Sequence, residues 1–402
     1  MVSDTGEGDK RHCMVVHAYY PLGETRVQRE AMALLEHGFE VTVMCLRNDG
    51  EPRREKVDGV SILRLPVKRH RGSGFGAQLF EYLLFFSLVS ITLTAVHLRR
   101  RFDTIQVHNL PDFLVFAALV PRLMGTPVIL DLHDLMPEFF AARTDASLGA
   151  PLVRAVQLQE RLSCRFASQV ITVTEGWRDT LAGRGVPADK VSVVMNVADT
   201  EVFRPSPERA RTDRNRFELL YHGTFTHRYG VDLIVTAASL LREDIPELHV
   251  SLLGDGDTRD ELVEMIADLD IGHRITLSDG MVGVDDLPAA IAQADVGVVP
   301  NRSNVFTDGI LPTKMLEYVA MGVPVLAART ATVESYFDDR QVDYFAPGDA
   351  EDLAKHVRVL HADPERRRAL ADNADDFNRT YSWDMISADY AALVERLALG
   401  DG

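Results

Sequence analysis

A lysine and a glutamate one helical turn apart, just behind a proline, are the residues of this chain best placed for chemistry. They lie in TDGILPTKMLEYVAMGVPVLA (307–327). Pro312 suits the first turn of a helix, where its missing N–H costs nothing. The helix then runs from Thr313 to Met321 and Gly322 ends it. Its free N–H groups and positive dipole end favour an anion. Lys314, in the first turn, opposes that dipole unless a bound anion removes the penalty. Glu317 shares the general face of Thr313 and Lys314, where a carboxylate can accept two hydrogen bonds from a ribose diol. The plainer alternative is an amphipathic helix with a solvated Lys and Glu.

His133 is the second candidate. It follows the apolar stretch PVILDL at a strand end, where a histidine either works or is simply satisfied. Two Asp-any-Asp pairs, Asp255/Asp257 in a Gly-rich turn and Asp268/Asp270 in mid-helix, resemble metal ligands. In a chain with 60 acidic residues such pairs arise by chance, and no catalytic metal is expected. Cys13, Cys45 and Cys164 form no Cys-any-any-Cys pair and read as buried thiols in a reducing compartment.

The elements that must carry these residues alternate. HCMVVHA (12–18), TRVQREAMALLEHG (25–38) and FEVTVMCL (39–46) read as strand, helix, strand, which implies a parallel pair. Strands at 59–66, 103–108, 127–133, 169–174 and 191–196 continue the series. The polar stretch 199–216 reads as a linker. A second series has strands at 217–223, 248–254, 274–280, 296–300 and 324–328, then helices near 350–361, 364–378 and 387–399. Two such series predict an α/β chain of two doubly wound, Rossmann-like domains facing a cleft, since open parallel sheets bind ligands at their strands' carboxyl ends. The expected divisions are a disordered tail (1–11), a first domain (12–198), a second (199–380), and a last helix (381–402) returning to the first.

The 402 residues are 46% hydrophobic and 26% charged, which excludes fibrous and wholly disordered classes. The formal charge is −17, which argues against nucleic-acid binding. Residues 1–200 carry 23 basic and 23 acidic side chains, so the excess lies entirely in the second half. The polar N-terminus, MVSDTGEGDK, has no apolar signal region. The apolar run 82–98 is flanked by Lys68, Arg69 and Arg71 before it and Arg99–Arg101 after it. It reads as a buried helix or, alternatively, as one that docks on an anionic membrane surface. It falls short of the roughly 20 residues of a spanning helix.

The 307–327 segment resembles the donor-binding helix of retaining GT-B glycosyltransferases of family four, in its Pro-Thr-Lys subgroup. YYPLGETRVQREA, LDLHDLMPE (130–138), the N-V-A-D…F-R-P stretch (196–205), HGT…YGVDL (222–233), LLGDG (252–256) and the helices after YSW (381–383) agree in order and spacing across residues 12–398. The resemblance implies a GT-B fold and transfer of a sugar from a nucleotide diphosphate to an acceptor, with retention, without a metal or other cofactor. It makes Glu317 the ribose-binding glutamate and His133 the active-site histidine. Gly23 is the small residue of the first-strand loop. Asp308, Gly309, Ile310, Leu311, Thr313 and Thr224 join the donor site, and backbone near Met281 and Val282 meets the base.

Three positions depart from that pattern. Gly309 stands where a second glutamate is frequent, with Asp308 beside it as a substitute. Thr224 and Tyr229 stand where the family has Arg and Lys. A diphosphate needs cations, and Arg228 and Lys314 are the expected replacements, acting with His133 as the catalytic set. The expected setting is bacterial cell-surface polysaccharide or lipid-linked glycan assembly, in the cytoplasm or peripherally on the inner membrane face. A soluble small-molecule acceptor stays open, as does a non-catalytic protein that binds a nucleotide sugar or activates a partner transferase. A nicotinamide enzyme is disfavoured, because no Gly-any-Gly-any-any-Gly follows a first strand.

Overall fold

Seven consecutive buried positions in KRHCMVVHAY, from His12 to Ala18, make β1 (Lys10–Tyr19) a strand covered on both faces. That pattern belongs at the centre of a parallel sheet. The computed structural model describes residues 10–22, 24–69, 75–205 and 216–400. Residues up to Asn196, with those from Asp384 onward, form one unit; Val197–Trp383 form the other.

In the first unit β1 is joined by β2 (Phe39–Leu46), β3 (Arg54–Val57), β4 (Val60–Leu65), β5 (Thr104–His108), β6 (Val128–Leu132), β7 (Gln169–Thr172) and β8 (Val191–Val193), in the order β3-β4-β2-β1-β5-β6-β7-β8. All pairs are parallel except β3–β4. That hairpin turns on Asp58 and Gly59, both at positive φ (48° and 88°), as two-residue turns require. Strand order reverses between β1 and β5, so ligands are expected beyond their carboxyl ends. Lys10 and Arg11, expected in a disordered tail, instead open β1, because its pairing with β2 extends to Phe39 and Glu40. The rest of that tail, residues 1–9, lies outside the described residues.

Helix α1 (Thr25–Glu36) buries Arg26 and Glu30 among its apolar residues. Arg26 Nη2 and Nε donate to Asp131 Oδ1 and Oδ2 at 2.9 and 3.1 Å, and its Nη1 donates to the Val194 carbonyl and to Asn196 Oδ1, both at 2.8 Å. Glu30 lies 3.0 Å from the same guanidinium. Gln106 donates to Glu30 and Asp131 and accepts from the Tyr390 hydroxyl at 2.6 Å. Tyr390 belongs to the helix Trp383–Leu399, which thereby seals the first unit. Burial alone would raise the Asp131 carboxyl; Arg26 and the nearby histidines outweigh it and hold it well below the ordinary range.

Helix α2 (Phe75–Arg99) is longer than the apolar run predicted it to be. Its residues Gly76–Arg99 are long and apolar enough to cross a membrane by length and composition. They do not form the fully buried helix of the first expectation. Glu81, Phe85, Val89, Leu93 and His97, spaced by four, are buried in the unit, with Glu81 3.1 Å from His17 of β1. Phe80, Leu83, Leu84, Ile91 and Leu98 are exposed. Helix α3 (Leu119–Leu123) packs beside α2 and exposes Leu119, Val120 and Leu123.

The second unit's sheet is entirely parallel. Its strands are β9 (Phe217–His222), β10 (Leu248–Leu253), β11 (Ile275–Leu277), β12 (Val296–Val299), β13 (Val325–Ala328) and β14 (Asp343–Phe345), in the order β11-β10-β9-β12-β13-β14. Strand order reverses between β9 and β12, which places the loops after them at the ligand end. The sequence reading has no counterpart for β3 or β14.

The Arg26–Asp131 pair sets an expected outcome. Removing one partner of a buried ion pair strands the other charge, at a cost of about 3–5 kcal/mol. Arg26→Leu should lower the urea midpoint accordingly; an unchanged midpoint would show that Asp131 and Glu30 are satisfied without it.

Candidate functional site

In the first unit the loop after β6 carries His133. Its backbone N–H donates to Asn109 Oδ1 at 2.9 Å, and Asn109 Nδ2 donates to Asp112 and to the Asp134 carbonyl. The carboxyl ends of β5 and β6 are thus stitched together. His133 Nε2 lies 3.1 Å from His108 Nδ1 and 3.4 Å from Asp131 Oδ2, while His108 Nδ1 lies 3.0 Å from the same oxygen. Burial pushes the fully enclosed His108 down to about 4. His133 keeps 21% of its side chain exposed, so it is the outer end of this chain of contacts. Glu24, in the loop after β1, has its carboxyl raised by burial, with His133 and Arg69 acting against the rise. Gly23 lies outside the described residues.

His108, Asp131 and His133 are also a group whose donor atoms are close enough to share a cation. Arg26 already holds both oxygens of Asp131, and its positive charge opposes a second cation there. The acidic pairs of the second unit behave as turns. Asp255 Oδ1 accepts from its neighbour's N–H, Gly256, at 2.9 Å. The pair expected in mid-helix is not there: the helix stops at Asp268 and Asp270 sits in a turn at φ 53°.

In the second unit the helix Thr313–Ala320 begins one residue after Pro312, which caps it in an extended conformation, and ends one residue before the expected Met321. It packs against β12 and β13, and the Tyr318 hydroxyl donates to the Leu220 carbonyl of β9 at 3.2 Å. That packing aims Lys314 at the end of β9. A Cβ on Gly223 would lie 3.2 Å from Lys314 Nζ. The ammonium stands 3.8 Å from the Tyr221 ring centroid and 5.1 Å from that of Tyr229. Among the described residues no carboxylate lies within ion-pair distance of it. Burial lowers the Lys314 ammonium to about 7, Glu317 acting the other way. Burial raises the Glu317 carboxyl to about 7, Lys314 acting the other way. Glu317 Oε2 lies 3.1 Å from His222 Nε2, and burial followed by the Lys314 charge takes that imidazole down to about 3.

The loop after β9 is held close to its neighbours. A Cβ at Gly254, after β10, would fall 1.9 Å from the Gly223 carbonyl oxygen, so only glycine allows this approach. Gly230, at φ 65°, starts the next helix against the Pro300 carbonyl. The Tyr221 hydroxyl donates to the Thr224 carbonyl at 2.8 Å, while the Thr224 side chain is exposed. Arg302 donates to the His227 carbonyl and pairs with Asp232 at 2.5 Å, fixing the turn that carries Arg228. The Arg228 guanidinium lies 5.1 Å from the Tyr229 ring centroid and 5.6 Å from that of Phe306.

Arg228, Lys314 and Glu317 therefore gather where β9 and the Thr313–Ala320 helix meet. Thr313 is exposed at the helix start; Gly309 and Ile310 are half-buried and Leu311 is buried. Asp308 Oδ2 accepts from Ser303 at 2.8 Å, and burial raises its carboxyl. Met281 and Val282 lie in the loop after β11, Met281 being 64% exposed. Sequence reasoning did not single out Glu24, His108, Asp131, Tyr221 or His222. His222 and Asp131 carried a signal, since one ends a buried strand and the other is the penultimate residue of one, but their partners come from distant segments.

Two family matches divide the chain. Residues 23–196 match a glycosyl transferase 4-like domain, and residues 203–377 match glycosyl transferases group 1. The chain is 25% identical over 287 residues to the sulfoquinovosyl transferase of Arabidopsis thaliana, covering 68% of this chain but only about half (52%) of that enzyme. It is 25% identical to the GDP-mannose-dependent alpha-(1-6)-phosphatidylinositol monomannoside mannosyltransferase of Mycolicibacterium smegmatis, over 63% of this chain and 73% of that one. Among solved structures it resembles the sucrose-phosphate synthase of Thermosynechococcus elongatus, with a TM-score of 0.79, 18% identity, and 97% and 100% of the two chains covered. WaaG, involved in lipopolysaccharide biosynthesis, matches with a TM-score of 0.66 and 16% identity over 95% and 99%. These likenesses establish the GT-B architecture, two α/β domains with mainly parallel sheets.

The Lys314 environment has a pH signature. A lysine whose folded pKa is lowered makes the unfolded chain the better proton binder, so this cost to stability shrinks as pH rises from about 7 toward the ordinary lysine value. Lys314→Met should be more stable than wild type at pH 7, and the gap should narrow by pH 9. Urea midpoints at the two pH values read this; a constant gap would mean that Lys314 titrates as a solvated lysine.

Proposed function

The chain joins a glycosyl transferase 4-like domain to a glycosyl transferases group 1 domain and so belongs to the group 1 glycosyltransferases, and we propose that it moves a sugar, with retention of configuration, from a nucleotide diphosphate sugar to an acceptor. One observation carries this reading. The half-buried Lys314 presents its ammonium to two tyrosine faces at a helix start beside the end of β9, with a carboxylate one turn further on and, among the described residues, none within ion-pair distance. Such a site suits an anion and offers a diol acceptor in Glu317.

The second unit then holds the donor. Lys314, Arg228 and the helix N–H groups meet the charge that develops on the leaving diphosphate, which is electrostatic catalysis by groups already in place. These cations let the chemistry run without a divalent ion. Asp308 and the Gly309–Leu311 backbone flank the sugar, and the loop at Met281 and Val282 meets the base. His133 contacts the transferred sugar or phosphate, a role supported by the family resemblance and by its outer position in the His108–Asp131 chain.

The acceptor binds the first unit and is lipid-linked, in cell-surface or lipid-linked glycan assembly at a membrane face. The support is the exposed stripe Phe80, Leu83, Leu84, Ile91 and Leu98 along α2, followed by exposed Arg99–Arg101. Apolar burial and attraction to anionic lipid add together for such a helix. A relative named for a phosphatidylinositol acceptor agrees with this.

A thermal-shift screen against nucleoside diphosphates and nucleotide sugars tests the donor. A ligand at 100 times its Kd adds about 2.7 kcal/mol of stability. One nucleotide class should shift the protein equally with and without EDTA, and Glu317→Ala should abolish the shift. Charge-assisted hydrogen bonds contribute about 1.5–3 kcal/mol, so Arg228→Ala and Lys314→Ala should each weaken donor binding about 10–100-fold. Transfer or hydrolysis of the bound donor separates an enzyme from a non-catalytic binder. For the acceptor side, the protein should float with vesicles rich in anionic lipid, and replacing Arg99–Arg101 by Ser should release it; absence of flotation in wild type would favour a soluble acceptor.

A further inference from the structure

Tyr229 stands where the family pattern has a lysine, yet two cations flank its ring. Lys314 Nζ lies 5.1 Å from its centroid and the Arg228 guanidinium carbon lies 5.1 Å from it. Tyr221 supplies a second face to Lys314 at 3.8 Å, and Phe306 a second face to Arg228 at 5.6 Å. The five groups come from three segments: the end of β9 and its loop, the loop after β12, and the Thr313–Ala320 helix.

We propose that Tyr229 and Tyr221 are positioning residues for the donor diphosphate, seating Lys314 and Arg228 so that two borrowed cations replace the missing Arg and Lys. The proposal rests on the nucleotide diphosphate reading given above. Its physical basis is the kind of partner chosen. A carboxylate against Lys314 would neutralise it and would compete with an incoming phosphate. A ring face attracts the ammonium through its quadrupole and leaves the charge and the N–H donors available. Glu317, the nearest candidate carboxylate on the helix, is turned to His222 instead. The rings are themselves fixed: Tyr221 is fully buried and its hydroxyl donates to the Thr224 carbonyl, while Arg302 anchors the turn that ends in Tyr229. Tyr229, lying between the two cations in sequence and in contact with both, sets their separation.

The test compares UDP, GDP and ADP with their nucleosides, by calorimetry, on wild type, Tyr229→Phe, Tyr229→Leu and Lys314→Met. Tyr229→Phe keeps the ring and should stay within threefold of wild type. Tyr229→Leu should weaken the nucleoside diphosphate about tenfold and leave nucleoside binding unchanged, which a general collapse of the site would not do. In the Lys314→Met background Tyr229→Leu should cost clearly less, because contacting residues are not additive. Equal loss in the two backgrounds, or unchanged diphosphate binding by Tyr229→Leu, would overturn the assignment while leaving the donor reading standing. Binding of none of the three diphosphates by wild type would overturn the donor reading and this assignment with it.

Discussion

One buried ion pair organises the first unit. Asp131 is the penultimate residue of the sixth strand, and Arg26, from the first helix, grips both of its oxygens. Neither charge reaches solvent, so each must be met by protein, and the requirement propagates outward. Arg26 also takes the Val194 carbonyl and Asn196; Asp131 also takes Gln106 and His108. His133 is oriented at the far end of that series. A histidine at a strand end thus owes its position to an arginine more than 100 residues earlier. Burial without such partners would be prohibitive.

The second unit solves the opposite problem. There the half-buried Lys314 has, among the described residues, no carboxylate within ion-pair distance. The strand ends approach so closely that Gly254 has no room for a side chain, and the Thr313–Ala320 helix brings Lys314 into the space kept beside Gly223. Aromatic faces hold it, and Glu317 is diverted to a histidine. Under the proposed donor reading, stability is given up locally for a charge that can meet a diphosphate.

Much of this was legible in sequence where the determinant is local. The helix after Pro312, the shared face of Lys314 and Glu317, and the two alternating series follow from spacing, whereas Arg228 was reached through the family resemblance. The β3–β4 hairpin was missed, because β3 is a mere four residues of REKV without an apolar pattern. Strand β14 is equally short. The apolar run of α2 gave no indication of which side would face the unit. That is set by Glu81, whose partner His17 lies on a distant strand. The Arg26–Asp131 pair, the stitching of Asn109 to His133, and the aromatic seat of Lys314 are long-range pairings. No window of neighbouring residues contains them.

The closing of the first unit by Tyr390 has a consequence for how the chain is made. Gln106, in the middle of that unit's sheet, waits for a hydroxyl that leaves the ribosome after all of Val197–Trp383. The unit begun first is completed last, and the unit begun second has its whole sheet in hand before then. During synthesis the buried charges around Asp131 are therefore assembled without their final cover, and order of birth and order of completion run in opposite directions.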